Sequence, residues 1–247
     1  MSRYDEGMTA GEIRRVAFFG GSFDPPHLGH LAVARAARDA LRLDTVLFAP
    51  VGAQPLKPQG STASFSDRVR MTELAVDAEP GFELSRVDAP DPDGHPNYTL
   101  ETLKRLRAEL PRQAALFCLM GADSFLGLHQ WHGAAEIPFA ATLVVASRPG
   151  QSLADLASAL PDGIIMADGD ADRTKPATSI ELHSYCLRGA RAERSSFYLL
   201  PGLDVQISAS EIRRQIRGES PQAGASAERA LLPTAVARYI RDHGLYR

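Results

Sequence analysis

Cysteine is scarce: the 247 residues hold two, Cys118 and Cys186, and Cys118 lies inside the apolar run 114–120. No disulfide framework follows from such a pair, and a reducing compartment fits. No stretch approaches the ~18 apolar residues of a membrane span, and residues 1–12 are polar with no apolar signal core. The expectation is therefore a cytoplasmic protein without a membrane partner. Positive charge is not in excess either: 27 Lys and Arg stand against 30 Asp and Glu, a net charge of −3, which argues against a nucleic-acid-binding surface. No internal repeat is visible. With 44% hydrophobic and 23% charged residues, the chain has the means to bury a sizeable core. We expect a flexible tail over 1–12 and one domain over 13–247.

What the sequence does have is concentrated early. The apolar run Val16-Ala17-Phe18-Phe19 ends at Gly20-Gly21, and Ser22-Phe23-Asp24-Pro25-Pro26-His27-Leu28-Gly29-His30 leads into an Ala-rich stretch of good helix formers. This reads as strand, tight loop, helix. Ligands of open α/β sheets bind at such strand ends, where a helix N-terminus offers unpaired N–H groups to an anion. Gly20 and Gly21 permit close backbone approach to a phosphate, and His27 and His30, three residues apart, share one face and can donate to phosphoryl oxygens. The alternatives for the two histidines are a capping or packed pair and a zinc site, for which Asp24 as the one further ligand nearby leaves the usual set incomplete. The loop has neither the Lys-Ser/Thr ending of a Walker A sequence nor the third glycine of a dinucleotide fingerprint.

Further along, β-like runs alternate with helical patterns: strands at 45–49, 82–87, 115–120 and 142–146, a helix over 67–77 capped by Ser66, and an amphipathic helix from Leu100 capped by Thr99. Helix-sized crossovers between strands predict a doubly wound α/β fold with a parallel sheet. Residues 151–205 are the least readable and suggest a long spacer. At Ile207-Ser208-Ala209-Ser210-Glu211-Ile212-Arg213, Ser208 and Glu211 have capping-box spacing and Ile207 and Ile212 that of a hydrophobic staple, so a helix starts there with a second anion site at its N-terminus.

Residues 20–30 resemble the G-G-S/T-F-D-P-x-H-x-G-H signature of the nucleotidyltransferase superfamily, and residues 207–213 resemble its second signature, I-S-S/A-S/T-x-I-R. The likeness is to bacterial nicotinate-nucleotide adenylyltransferases and extends to the tail through Leu245-Tyr246. It implies a Rossmann-like nucleotidyltransferase fold with C-terminal helices. It also implies adenylyl transfer from ATP to nicotinate mononucleotide, with Mg²⁺ held by the ATP phosphates. On this resemblance Gly20, Gly21, Ser22, Phe23, His27, Gly29, His30, Ile207, Ser208, Ser210 and Arg213 bind ATP, and His27, His30, Lys57 and Arg213 stabilise the reacting phosphates.

The mononucleotide falls to Asp24, Lys57, Tyr98, Thr99, Asp123, Trp131 and Arg148. In Gln54-Pro55-Leu56-Lys57 the family usually has histidine where Leu56 stands, so that contact is missing here. Asn97-Tyr98-Thr99 matches the family segment that recognises the pyridine carboxylate, although an N-capping Thr99 needs no ligand. Gly121, Asp123, Leu128 and Trp131 match the segment in which Trp packs on the pyridine ring; a core Trp is the alternative. Arg148 sits in a family R-P-G turn.

Overall fold

A computed structural model of the chain describes residues 13–56, 59–147, 153–168, 181–202, 207–219 and 231–247. In chain order it contains β1 (Arg15–Gly21), α1 (Leu28–Leu41), β2 (Thr45–Pro50), α2 (Phe65–Val76), β3 (Phe82–Leu84), α3 (Thr99–Glu109), β4 (Ala115–Gly121) and α4 (Ala122–Leu126). A 3₁₀ turn (Leu128–Gln130), α5 (Ile137–Ala140), β5 (Thr142–Ala146), α6 (Leu153–Ser158), β6 (Ile165–Asp168), β7 (His183–Arg188), β8 (Arg194–Leu200), α7 (Ala209–Ile216) and α8 (Thr234–Asp242) follow. The strands form one sheet in the order β3-β2-β1-β4-β5-β8-β7-β6. Strand β4 runs parallel to β1 and β5, and β5 parallel to β8, while β7 is antiparallel to β8 and β6. The doubly wound α/β expectation holds. The chain grows outward from β1 through β2 to β3, then returns to place β4 beside β1, and such a reversal point is where open α/β sheets bind ligands.

The central strands are legible because both faces are covered. Val16 to Phe19 and Val46 to Ala49 are all at most 6% exposed, so they appear as unbroken apolar runs rather than as alternation. Cys118 belongs to this core, and burial pushes its thiol up to about 12, far from a reactive thiolate. Residues 151–205 supply α6 and the strands β6 to β8, of which β7 is half-buried through Cys186.

Three local expectations need correcting. The strand from Phe82 stops at Leu84, where Ser85 N–H donates to Phe48 O and the backbone turns, with Ala89 N–H donating to Arg86 O. Helix α2 is capped by Ser64, not Ser66: the Ser64 hydroxyl accepts from Asp67 N–H, so the helix begins at Phe65. Helix α3 has Tyr98 at its N-cap and Thr99 as its first residue, and no side chain caps it.

The described residues group into two packing units, drawn from Met1–Phe19, Arg35–Val46 and Tyr98–Asp204, and from Gly20–Ala34, Leu47–Asn97 and Val205–Arg247. The first holds the pairings among β1, β4, β5 and β6 to β8. The core of the second gathers Ala63, Met71 and Ala75 around α2 with Ile212 of α7 and Leu232, Val236, Ala237, Ile240 and Tyr246 around α8. No helix among the described residues is long and apolar enough to cross a membrane.

Candidate active site

In the second unit the loop after β1 is braced from below. Arg68 is 2% exposed and its guanidinium donates to Ser22 O (2.7 Å) and Val51 O (2.9 Å), fastening the ends of two strands together, while Val51 N–H donates to Gly21 O (3.0 Å). Phe23 has a positive φ of 46° and turns its ring into the core against Phe48 (5.6 Å) with His30 edge-on (5.0 Å). The 1% exposed ring packs, and the strained backbone is the means of burying it, so any nucleotide contact of Phe23 falls to its main chain.

Asp24 is buried as well. The resemblance assigns it to the mononucleotide, but its carboxylate is buried and both oxygens are engaged: Oδ2 accepts from Thr62 N–H (2.6 Å), and Oδ1 from Ala63 N–H (3.0 Å) and the Tyr246 hydroxyl (2.8 Å). Asp24 is an anchor of the loop.

His27 and His30 stack, with ring centroids 3.7 Å apart and planes at 21°. His27 N–H donates to His30 Nδ1 (3.2 Å), which leaves the His30 proton on Nε2 in the neutral ring. His27 is 6% exposed and its Nδ1 is buried without a hydrogen-bond partner among the described residues. Burial lowers the His27 pKa to about 4, and burial together with the neighbouring imidazole holds His30 well below its ordinary value. At neutral pH the pair is thus uncharged, and its donors are N–H groups of neutral rings.

The second signature meets the first here. Ser208 caps α7, its hydroxyl accepting from Glu211 N–H (3.1 Å); Ile212 is buried, and Ile207 packs against the same core. Arg213 Nη1 donates to Asp24 O (2.6 Å) and stands 3.8 Å from Asp24 Oδ2, while Nη2 donates to Ser210 Oγ (3.2 Å). These bonds use two of the five guanidinium donors, three residues from His27. Ser22, from the first signature, accepts from Gln54 Nε2 (3.0 Å).

Asn97 links two loops by accepting from Ala53 N–H and donating to Ala89 O, each at 2.8 Å. Gly52 beside it could carry no side chain, since a Cβ would overlap the Pro90 backbone. Leu56 is 55% exposed, and Lys57, with its expected phosphate contact, lies outside the described residues. The exposed group Asp91, Asp93 and His95 is a local turn in which Asp91 Oδ1 already pairs with Asp93 N–H and His95 Nδ1.

In the first unit, Tyr98 and Thr99 open α3. Since no side chain caps this helix, its first-turn N–H groups and positive dipole end can receive an external carboxylate. The Tyr98 ring lies 4.4 Å from that of His132, at 33°, so an aromatic surface stands at the helix start. Trp131 is half-buried rather than a core residue, and Gly133, at φ 63°, brings this turn against α3 so closely that a Cβ would overlap Leu100 Cδ2. Asp123 is exposed in the first turn of α4. Arg148 lies outside the described residues.

Sequence reasoning misses Arg68 altogether, and it meets Gln54, Asn97 and Tyr246 only as members of family segments, without the bonds they make here. Their side chains act through bonds to backbone or to residues distant in sequence, and nothing in the local pattern marks them.

The cytidylyltransferase-like family model matches residues 18–215. A "Probable nicotinate-nucleotide adenylyltransferase" of Gloeobacter violaceus is 36% identical over 94% of this chain and 96% of its own length. A protein of the same description from Bordetella petrii is 37% identical over 95% of this chain and 100% of its own. Among solved structures, a Plasmodium falciparum nicotinic acid mononucleotide adenylyltransferase complexed with NaAD superposes with a TM-score of 0.66 at 15% identity, covering 94% of this chain and 97% of that one. The last likeness is one of fold alone. The match to the family model and the near-full-length relatives place the chain in the cytidylyltransferase-like family, and it belongs there with the nicotinate-nucleotide adenylyltransferases.

Proposed function

We propose that the protein transfers the adenylyl group of ATP to nicotinate mononucleotide in the cytoplasm, giving deamido-NAD and pyrophosphate. The observation that carries this reading is the Arg213–Asp24 bond, which brings the arginine of one phosphate signature onto the loop bearing the histidine pair of the other. A phosphate oxygen of the mononucleotide forms a bond to the α-phosphorus of ATP as the bond from that phosphorus to the β-phosphate oxygen breaks, and pyrophosphate leaves with the bonding electrons. The attacking oxygen is already anionic, so no general base is needed, and the work is positioning and charge stabilisation.

His30, through Nε2–H, and His27 donate to phosphoryl oxygens, and Arg213 adds the permanent charge that the neutral imidazoles lack. Gly20, Gly21, Ser22, Gly29, Ser208 and Ser210 line the phosphates, and Lys57 is assigned to them by the resemblance alone. The uncapped start of α3 receives the pyridine carboxylate, and Trp131 packs on the ring.

Magnesium fits as a partner of the nucleotide rather than of the protein. The loop's carboxylate, Asp24, has both oxygens engaged by Thr62, Ala63 and Tyr246, so the ion is held by phosphates and water. It supplies neutralisation of phosphate charge.

The test is pyrophosphate release with ATP paired with nicotinate mononucleotide, nicotinamide mononucleotide or 4′-phosphopantetheine, and with CTP in place of ATP. Turnover with ATP and nicotinate mononucleotide is expected. Turnover only with another pair, or with none, would overturn the reading.

A further inference from the structure

The Tyr246 phenol is buried at 6% exposure, and its hydroxyl donates to Asp24 Oδ1 (2.8 Å) across 222 positions of sequence, while Met71 Sδ stands 4.0 Å away. Its backbone is at φ 65°, a left-handed conformation costly for a bulky side chain, so the surrounding contacts hold it there. Burial and the Asp24 charge both raise its pKa, so the group is a neutral donor. Arg213 approaches the same aspartate at its carbonyl and at Oδ2, the oxygen that Tyr246 does not bond. Its Nη1 bonds the Asp24 carbonyl at 2.6 Å but lies 3.8 Å from the nearer carboxylate oxygen, so the guanidinium is held by the backbone and is not hydrogen-bonded to the acid.

A buried carboxylate within reach of an arginine normally takes a direct, bidentate pair. Here three donors, from Thr62, Ala63 and Tyr246, satisfy it first.

We propose that Tyr246 is a positioning residue for Arg213: by satisfying the Asp24 carboxylate from the core side, it keeps the guanidinium on the Asp24 carbonyl with its remaining donors available to the nucleotide triphosphate. Loss of the hydroxyl leaves Oδ1 with only the Ala63 N–H of these donors, the carboxylate draws Arg213 into a direct pair, and the charge facing the phosphates falls. The inference rests on the reading of Arg213 as an ATP phosphate contact.

The experiment is a binding cycle read by calorimetry with α,β-methylene-ATP and Mg²⁺, on wild type, Tyr246→Phe, Arg213→Ala and the double variant, with urea melts to confirm folding. Tyr246→Phe should weaken binding about tenfold, the scale of one charge-assisted hydrogen bond. In the Arg213→Ala background the same change should shift binding less than about twofold, since effects routed through one residue do not add. Tyr239→Phe, which removes a bond from α8 to Asp67, should leave binding unchanged.

An unweakened Tyr246→Phe, or equal losses in both backgrounds, overturns the proposal. If Tyr246→Phe does not fold, 3-fluorotyrosine at position 246 keeps the packing and strengthens the donor. Binding at least as tight as wild type is then expected, and weaker binding overturns the proposal. Failure of the wild type to release pyrophosphate with nicotinate mononucleotide would remove the transferase reading while this cycle still decides the role of Tyr246; failure to bind the analogue removes both.

Discussion

Acidification should cost this protein stability through His27 in particular. In the unfolded chain an imidazole takes its proton near pH 6.5, whereas the buried His27 does so only at about pH 4. Between these values the unfolded state binds more protons than the folded one, so stability is full above pH 6.5 and falls as the pH is lowered towards 4. The complete loss is 2.5 pKa units at 1.36 kcal/mol each, about 3 kcal/mol, of which roughly 2.5 kcal/mol is reached by pH 4.5. Replacing His27 with Asn keeps a polar group of similar width and removes the titration. Urea unfolding of both proteins at pH 7.5 and pH 4.5 isolates the effect, because the carboxylates and the other histidines titrate in both. Wild type should lose about 2.5 kcal/mol more than His27→Asn across this interval. Equal losses would show that His27 is accessible to protons in the folded loop, and the neutral stacked pair would have to be abandoned.

Three further outcomes are expected. His30→Ala should lower kcat roughly 10²-fold in the pyrophosphate assay, the scale of one transition-state donor, while urea melts still show a cooperative fold at a lower midpoint because the ring packs on His27 and Phe23; an unchanged kcat would remove the phosphate role. Because an amide would present N–H groups to the N–H groups that open α3, nicotinate mononucleotide should exceed the nicotinamide form in kcat/KM by ~10–100-fold, and equal efficiency would remove the carboxylate subsite. Gly133→Ala combines a left-handed φ with a collision against Leu100, so it should destabilise by about 1–3 kcal/mol and raise KM for the mononucleotide without changing that for ATP; an unchanged urea midpoint would refute the steric account.

How much of this was legible beforehand depended on where each residue's partners lie. Val16 to Phe19 and Val46 to Ala49 announce central strands because double-sided burial writes an apolar run into the local sequence. The α7 cap is legible for the same reason: Ser208 and Glu211 meet within one turn. Asp24, by contrast, looks like any acid in a polar loop. Its role as an anchor depends on Thr62, Ala63 and Tyr246, the last 222 positions away, and no window of sequence joins them. The Thr99 cap failed because Tyr98 takes that position without a side-chain acceptor, which is the very feature that leaves the helix start open to a ligand. The strands β7 and β8 escaped notice because half-burial in an antiparallel pair tolerates His183, Ser184, Arg194 and Ser195, a composition close to that of a loop.

The bonds from Arg213 and Tyr246 to Asp24 close loops of 189 and 222 residues. Loop-closure entropy makes such contacts late events, since they repay their cost only after the intervening sheet has formed. On the ribosome the sequence is stricter still. Asp24 lacks its phenol until residue 246 has been made, and its arginine until residue 213 has been made. The loop bearing the histidine pair is thereby fastened only by residues that lie far from it along the chain, and its anchoring comes late in folding.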